Sequence, residues 1–199
     1  MNLLKLCPAL LAGVLGACAS SSPAPVLLTL PPAVAAVAVP PAAAASAPLL
    51  AVRRVNIPEY LVARRVRYRA DASTLAEWPN TYWAERVEIG ISREFVSALR
   101  QQLPGWALCD TNCGDQPPAL SLQVDLVPMD YLRASQKLQA RARITLSIGA
   151  AVPKVLQTQE LPYELSGAAD SAQAHAQLIA ELIRQVAAAA APMVKSAQP

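Results

Sequence analysis

The sequence predicts an α+β fold: a two-layer sandwich with two long amphipathic helices on one face of a mixed or antiparallel sheet, in the order ββαβββα. Three observations predict it. Leu138 to Ile148 alternates apolar and polar residues over eleven positions, the period of a half-buried strand. Two other stretches, near 83–103 and 171–193, carry apolar residues at helical spacing along one side only. Strands that are apolar on one side leave one sheet face wet, as antiparallel and mixed sheets permit, and the helices then cover the other face.

Residues 1–17 read as a signal peptide. Lys5 supplies a positive start, Leu6 to Leu15 is mostly apolar, and Leu15-Gly16-Ala17-Cys18 follows. About ten apolar residues interrupted by Pro8 are too few to span a bilayer, which takes about 20. Ala17-Cys18-Ala19 also fits an A-x-A site for ordinary secretion. The overall hydrophobic fraction of 54% and mean hydropathy of +0.29 therefore do not indicate a membrane-spanning chain. After Cys18, long unbroken apolar runs occur only in Ala/Pro-rich sequence. Without the leader, sixteen basic residues face fourteen acidic ones. A net charge near +2 on an exported chain argues against nucleic acid as a partner.

Residues 18–49 read as a tether. Residues 31–48 contain nine Ala, five Pro, three Val and one Ser, so large core-forming side chains are lacking and continuous helix is broken. At about 3.1 Å per residue in polyproline conformation, 31 residues reach roughly 90 Å. The domain is expected over 50–199, a length sufficient for one core.

Val52 to Ile57 is β-rich and closes at Pro58, which cannot donate to a ladder. Arg64 to Arg69 alternates, with Val66 and Tyr68 on one face and Arg65, Arg67 and Arg69 on the other. Asp71 to Pro79 reads as a loop with a short extended piece at Leu75 to Trp78. A helix then starts at an Asn80 or Thr81 cap. Its stripe is Trp83, Val87, Ile91, Phe95, Ala98, Leu99 and Leu103, and Pro104-Gly105 stops it. Leu120 to Leu126, Leu138 to Ile148 and the weaker Val155 to Leu165 are strands, with a hairpin connection around Asp130 to Gln136. Pro162 marks the last of them as an edge. The final helix runs from about Ser171 to Met193. Asp170 is its expected cap, with Gln173 at capping-box spacing.

With Cys7 in the leader and Cys18 at the junction, Cys109 and Cys113 are the two remaining thiols. An even count in an oxidising compartment predicts a disulfide, contributing about 2 kcal/mol by loop entropy. A zinc site lacks ligands in a chain with one His, and the spacing is not the C-x-x-C of redox catalysts. No phosphate loop, nucleophile elbow or metalloprotease motif occurs. His175 lies between alanines with no nucleophile or orienting partner nearby in sequence, and reads as a surface or half-buried residue. Neither cofactor nor metal is expected. Arg53, Arg54, Arg64, Arg65, Arg67 and Arg69 place six of 17 basic residues in the first two strands. If those strands pair, the arginines form a stripe able to meet anionic head groups or an acidic partner. The alternative is a solvated face that discourages aggregation.

Leu15 to Cys18 resembles the lipobox of bacterial lipoproteins, in which the cysteine thiol carries lipid. Val55-Asn56-Ile57-Pro58-Glu59-Tyr60-Leu61, the basic strand around Val66 to Tyr68, and Trp83-Ala84-Glu85-Arg86-Val87 before a helix resemble the ABC-type transport auxiliary lipoproteins of the PqiC/YmbA type. The resemblance spans roughly residues 50–190. It implies a two-layered, non-enzymatic envelope lipoprotein anchored at Cys18, partnering an MCE-domain protein and ABC transporter components in lipid transport between membranes. Ala19 is not the Asp associated with inner-membrane retention, which points to the periplasmic face of the outer membrane. The resemblance is also compatible with a homo-oligomer. A different class of reading is a stand-alone periplasmic module binding a lipid or other hydrophobic ligand. A sizeable apolar cavity between helices and sheet would mark that class, and a filled core would mark a docking protein.

Overall fold

The computed structural model describes residues 23–32, 47–110, 113–114, 116–149 and 153–197. The leader and Cys18 lie outside these. Eight strands form one mixed sheet: β1 (Val26–Leu28), β2 (Leu49–Val52), β3 (Arg65–Arg69), β4 (Leu75–Trp83), β5 (Ala107–Cys109), β6 (Leu120–Leu132), β7 (Lys137–Ile148) and β8 (Lys154–Ser166). Two helices, α1 (Val87–Gln102) and α2 (Ala172–Ser196), pack on each other and on one sheet face. The predicted class and layering stand. The strands β1, β4 and β5 are additions to the predicted order.

Every other strand connects to β6 directly or through one or two neighbours. Along one side β6 pairs antiparallel with β7 from Ser121↔Ser147 to Leu132↔Lys137, and β7 pairs with β8. The other side of β6 is shared. Its start takes β2 in parallel at Leu50↔Leu120, and its end meets β3 at Arg69↔Leu132. Asn56 bridges to Asp125 between them. β5 flanks β2, β4 flanks β3, and β1 flanks β4. The predicted end of this strand at Leu126 extends to Leu132 because its alternation changes phase. Leu120, Leu122, Val124 and Leu126 are buried, and so are Met129 and Tyr131. A register shift between Leu126 and Met129, containing the cis Val127–Pro128 peptide, supplies the one extra residue that this change requires. Without a bulge the second half would turn its apolar side outward.

The expected 71–79 loop and helix start at 80–81 are corrected: Leu75–Trp83 is one strand. Pro79 and Asn80, which read as break and cap, instead mark an irregularity in the β3–β4 register. Asn80 adopts a left-handed φ of 49°, which Asn tolerates better than most residues. Trp83 is buried, as the predicted stripe required, but from β4 rather than from the helix. α1 begins at Val87 and buries Ile91, Phe95, Ala98 and Leu99. It ends with the Leu103 amide donating to the Leu99 carbonyl, before Pro104-Gly105. A second correction concerns α2. Ser171 caps it, its Oγ accepting from the Ala174 N–H at 3.1 Å, while Asp170 pairs with Arg133.

Part of the expected tether is folded onto the domain: β1 pairs in parallel with β4 through Leu27↔Tyr82, and Leu28 and Leu30 enter the core. On α2, Ala176, Ala187, Ala190 and Ala191 are buried. Their small side chains let backbones approach, and the large neighbours Leu182, Ile183 and Val186, themselves buried, fill the layer. Leu182→Ala, at a position with no exposed surface, is expected to lower unfolding free energy by about 2–5 kcal/mol. Leu156→Ala, on an exposed part of β8, should stay within about 0.5 kcal/mol. Denaturant titration of both variants checks the pair of values.

Candidate functional site

The sheet face away from the helices carries the charge. On β3, Val66 is fully buried while Arg65, Arg67 and Arg69 alternate onto the wet side. Each of the three meets a carboxylate brought by a neighbouring strand. Arg65 and Arg67 lie 3.4 and 3.3 Å from Glu77 of β4, and Arg69 lies 3.2 Å from Asp130 of β6. Arg67 also donates to the Tyr60 carbonyl at 2.8 Å. The arginine planes lie over aromatic rings: Arg65 over Tyr82 at 5.2 Å, and Arg69 over Tyr60 at 5.4 Å. Tyr60 donates to Asp130 at 2.9 Å. Burial, followed by that carboxylate, pushes its phenol above the ordinary range. Further along the face, Arg143 pairs with Glu160 and Lys137 with Glu164. Such half-exposed pairs are individually worth about 0–1 kcal/mol, but they leave little uncompensated charge.

The predicted stripe is therefore split. β2 and β3 do not pair; they meet opposite ends of β6. The Arg53 amide donates to the Leu122 carbonyl, whereas Arg69 sits opposite Leu132. Ten residues along a strand separate these positions by about 33 Å. Arg53 and Arg54 are exposed and, among the described residues, have no carboxylate within ion-pair distance; the same holds for Arg64. Glu77, Asp130 and Tyr60, which set the electrostatics of this face, were missed in sequence. Only Asp130 had a signal, the alternation of β6 carried past its bulge; Glu77 comes from β4 and Tyr60 from the segment after Pro58.

Cys109 and Cys113 form a disulfide with Cα atoms 5.2 Å apart. It closes the end of edge strand β5, where Cys109 lies beside the Leu50 carbonyl. Thr111 and Asn112, between the cysteines, lie outside the described residues.

His175 was expected to be at the surface or half-buried and is instead buried. The start of α2 is packed on most sides, Ala172, Ala174 and Ala176 being buried with it while Gln173 and Gln177 stay exposed. Its ring stacks on Tyr131 with centroids 4.5 Å apart and meets Trp83 edge-on at 6.5 Å. Burial pushes its pKa down to about 3, so it is neutral throughout the physiological range. Arg133 closes this aromatic cluster from outside. It lies 4.3 Å over Trp78 and 4.9 Å over Tyr68, donates to the Tyr68 hydroxyl, and is held by Asp170 at 3.0 and 3.1 Å. Among the described residues, the His175 Nδ1, Tyr131 hydroxyl and Trp78 Nε1 have no hydrogen-bond partner. The cluster therefore offers neither a nucleophile nor an orienting carboxylate for His175. Its geometry is that of a core.

Two surface clefts accompany this face. One, of about 540 Å³, lies at the β4–α1 junction between Val62, Arg64, Trp83 and the buried Glu88 carboxylate, which pairs with Arg86. The other, of about 440 Å³, is lined by Asn56, Asp125, Arg141, Arg143 and Glu160. Among the described residues, no group of three or more His, Cys, Asp or Glu side chains could hold a metal. No described helix is long and apolar enough to cross a membrane.

Fold and geometry together define a two-layer α+β domain whose chemistry is concentrated in surface ion pairs over a filled core. Residues 28–187 match the ABC-type transport auxiliary lipoprotein component family, and the chain belongs to it. That family is described by a transport role rather than by a reaction. Among solved structures, the chain is similar to an uncharacterized protein at 19% identity and a TM-score of 0.68, covering 86% of this chain and 99% of that one. It is also similar to the DUF330 protein XCC0632 from Xanthomonas campestris, at 14% identity and a TM-score of 0.58, covering 86% and 92%. At those identities the likeness concerns the fold. No curated protein matches the chain.

The buried histidine makes a pH prediction. In the unfolded chain it titrates near 6.5, but in the fold only near 3. Below pH 6.5 the unfolded state therefore binds a proton that the folded state excludes, and stability falls with pH. Between pH 6.5 and 4.5 the loss should be about 2–3 kcal/mol. The lowered carboxylates Asp71 and Glu164, held by the Ser73 amide and Lys137 respectively, add losses only at lower pH. Denaturant titrations across this interval should show the slope in the native chain, and His175→Leu should flatten it.

Proposed function

We propose that this chain is a non-enzymatic envelope lipoprotein serving an MCE/ABC-type intermembrane lipid transport system, docking it at the periplasmic face of the outer membrane. The observation that carries the reading is the family match over 28–187, joined to the lipobox Leu15-Gly16-Ala17-Cys18. Cys18 is the acylated anchor, and Ala19 favours the outer membrane. The partners are an MCE-domain protein and the transporter components.

Docking is also the better reading of the interior. The layer between helices and sheet is occupied by side chains with almost no exposed surface, among them Leu50, Ile91, Leu99, Leu122, Ile144 and Leu182. The clefts described above open on the surface rather than into that layer; the first is lined by apolar and charged side chains in equal number, and the second mainly by charged and polar ones. A stand-alone carrier of hydrophobic ligand needs apolar volume in that layer.

Within the charged face, Arg53 and Arg54 are the contact residues best suited to an acidic partner, because their charge is not already met by the chain itself. Arg65, Arg67 and Arg69 serve chiefly to knit β3 to β4 and β6. Extraction of the envelope in mild detergent with a C-terminal tag should recover an MCE-domain protein or transporter subunit. Cys18→Ser should abolish that recovery by mislocalising the chain. Arg53→Glu with Arg54→Glu should reduce it several-fold at low salt without changing thermal stability, since exposed charges steer association and are screened by ions. Recovery of the chain alone with bound lipid would favour the ligand-binding reading.

A further inference from the structure

The strand β1 decides how far the domain stands from its anchor. We propose that β1 acts as a clip holding the β1–β4 edge against the bilayer surface, so that residues 18–49 are not a long spacer. The proposal rests on the lipid-anchor reading of Cys18.

Three features carry it. First, β1 is built into the sheet. It pairs with Thr81, Tyr82 and Trp83 of β4, and the Leu28 carbonyl accepts from the Ala84 amide at 2.7 Å. The Asn80 side-chain amide donates to the carbonyls of Pro23 and Ala24 at 2.8 and 3.0 Å. Leu28 and Leu30 are 8% and 5% exposed. Second, Pro23, the first residue of this bonded segment, lies five residues after Cys18. Five residues extend at most about 18 Å, against the roughly 90 Å expected of a free tether. The Ala/Pro-rich run 31–48 lies after β1, joining it to β2, and adds nothing to that reach.

Third, the edge thus held down has interfacial chemistry. Leu27 is 56% exposed and sits opposite Tyr82, whose other neighbour is Arg65. Cross-strand partners share a sheet face, so this row presents leucine, tyrosine and arginine in order. Arg65 lies over the Tyr82 ring, and the exposed Arg64 adjoins it in the chain. An exposed aliphatic residue, an aromatic belt residue and, in Arg64, a cation with no carboxylate partner among the described residues are what a lipid head-group region accommodates.

Neutron reflectometry on the mature acylated chain, anchored in a supported bilayer of phosphatidylethanolamine and phosphatidylglycerol, tests the clip through two insertions. Five Ala-Pro repeats between Ser20 and Ser21 should lift the protein layer by up to about 31 Å. The same insertion between Pro40 and Pro41 should leave its height unchanged. Equal shifts from both, or none from either, would overturn the clip. A nitroxide at Leu27→Cys should show contact with a bilayer-resident relaxant while one at Thr158→Cys, on β8, does not; the reverse result would overturn the proposed orientation. Mass measurement of the N-terminal peptide separates the two levels of claim. An unmodified Cys18 defeats the anchor reading itself, whereas an acylated chain with both insertions acting alike defeats only the clip.

Discussion

A single constraint of phase organises this domain. β6 is thirteen residues long, and both of its halves must present apolar side chains to the helix layer while β2, β3, β7 and the Asn56 bridge hang from its edges. Strand periodicity of two allows no drift. The extra residue at Val127–Pro128 lets Leu126 and Met129 both face inward. It also lets the second half carry Asp130 to β3 on the outer face and Tyr131 to His175 on the inner one. Pro128 is suited to the place because it has no amide to leave unpaired. Deletion of that residue would misplace the core face and the ion-pair face together.

The parts of the fold legible in sequence were those where one physical signal acted alone. Leu138 to Ile148 could be read because β7 lies between two long neighbours, so its alternation is unbroken. The cysteine pair could be read by elimination and by compartment. β4 could not. Pro79 and Asn80 carry genuine turn chemistry, which the strand uses for a local irregularity rather than an ending. β1 is three residues in Ala/Pro-rich surroundings, too short for periodicity, and is defined by tertiary contacts to Trp83 and Asn80. The arginines of β3 were visible, but their compensation was not, because Glu77 and Asp130 come from strands whose registers no local pattern fixes. His175 was misjudged because flanking alanines suggest open space, whereas on a helix facing a sheet they permit close approach.

The same compensation shapes the functional reading. A face on which most arginines are answered by the chain's own carboxylates is a stabilised, soluble sheet surface, and the unanswered cations are the more specific features. Arg53 and Arg54 stand at the β2 end of β6, while Leu27, Tyr82 and Arg64 stand toward the β1–β4 edge. On the proposed reading, one region serves a protein partner and the other a lipid surface. On that same proposal the division accounts for the asymmetry of the domain, with Cys18 and β1 assigned to the membrane side.

Docking of a transport protein is the role proposed for this chain. Site-specific photo-crosslinking in intact cells, with the reactive side chain at position 53, tests it most directly. A discrete adduct containing the periplasmic part of an MCE-domain or transporter protein, lost when the chain is mislocalised, is the predicted result. Adducts to lipid alone, or none while the protein is correctly anchored, would contradict it.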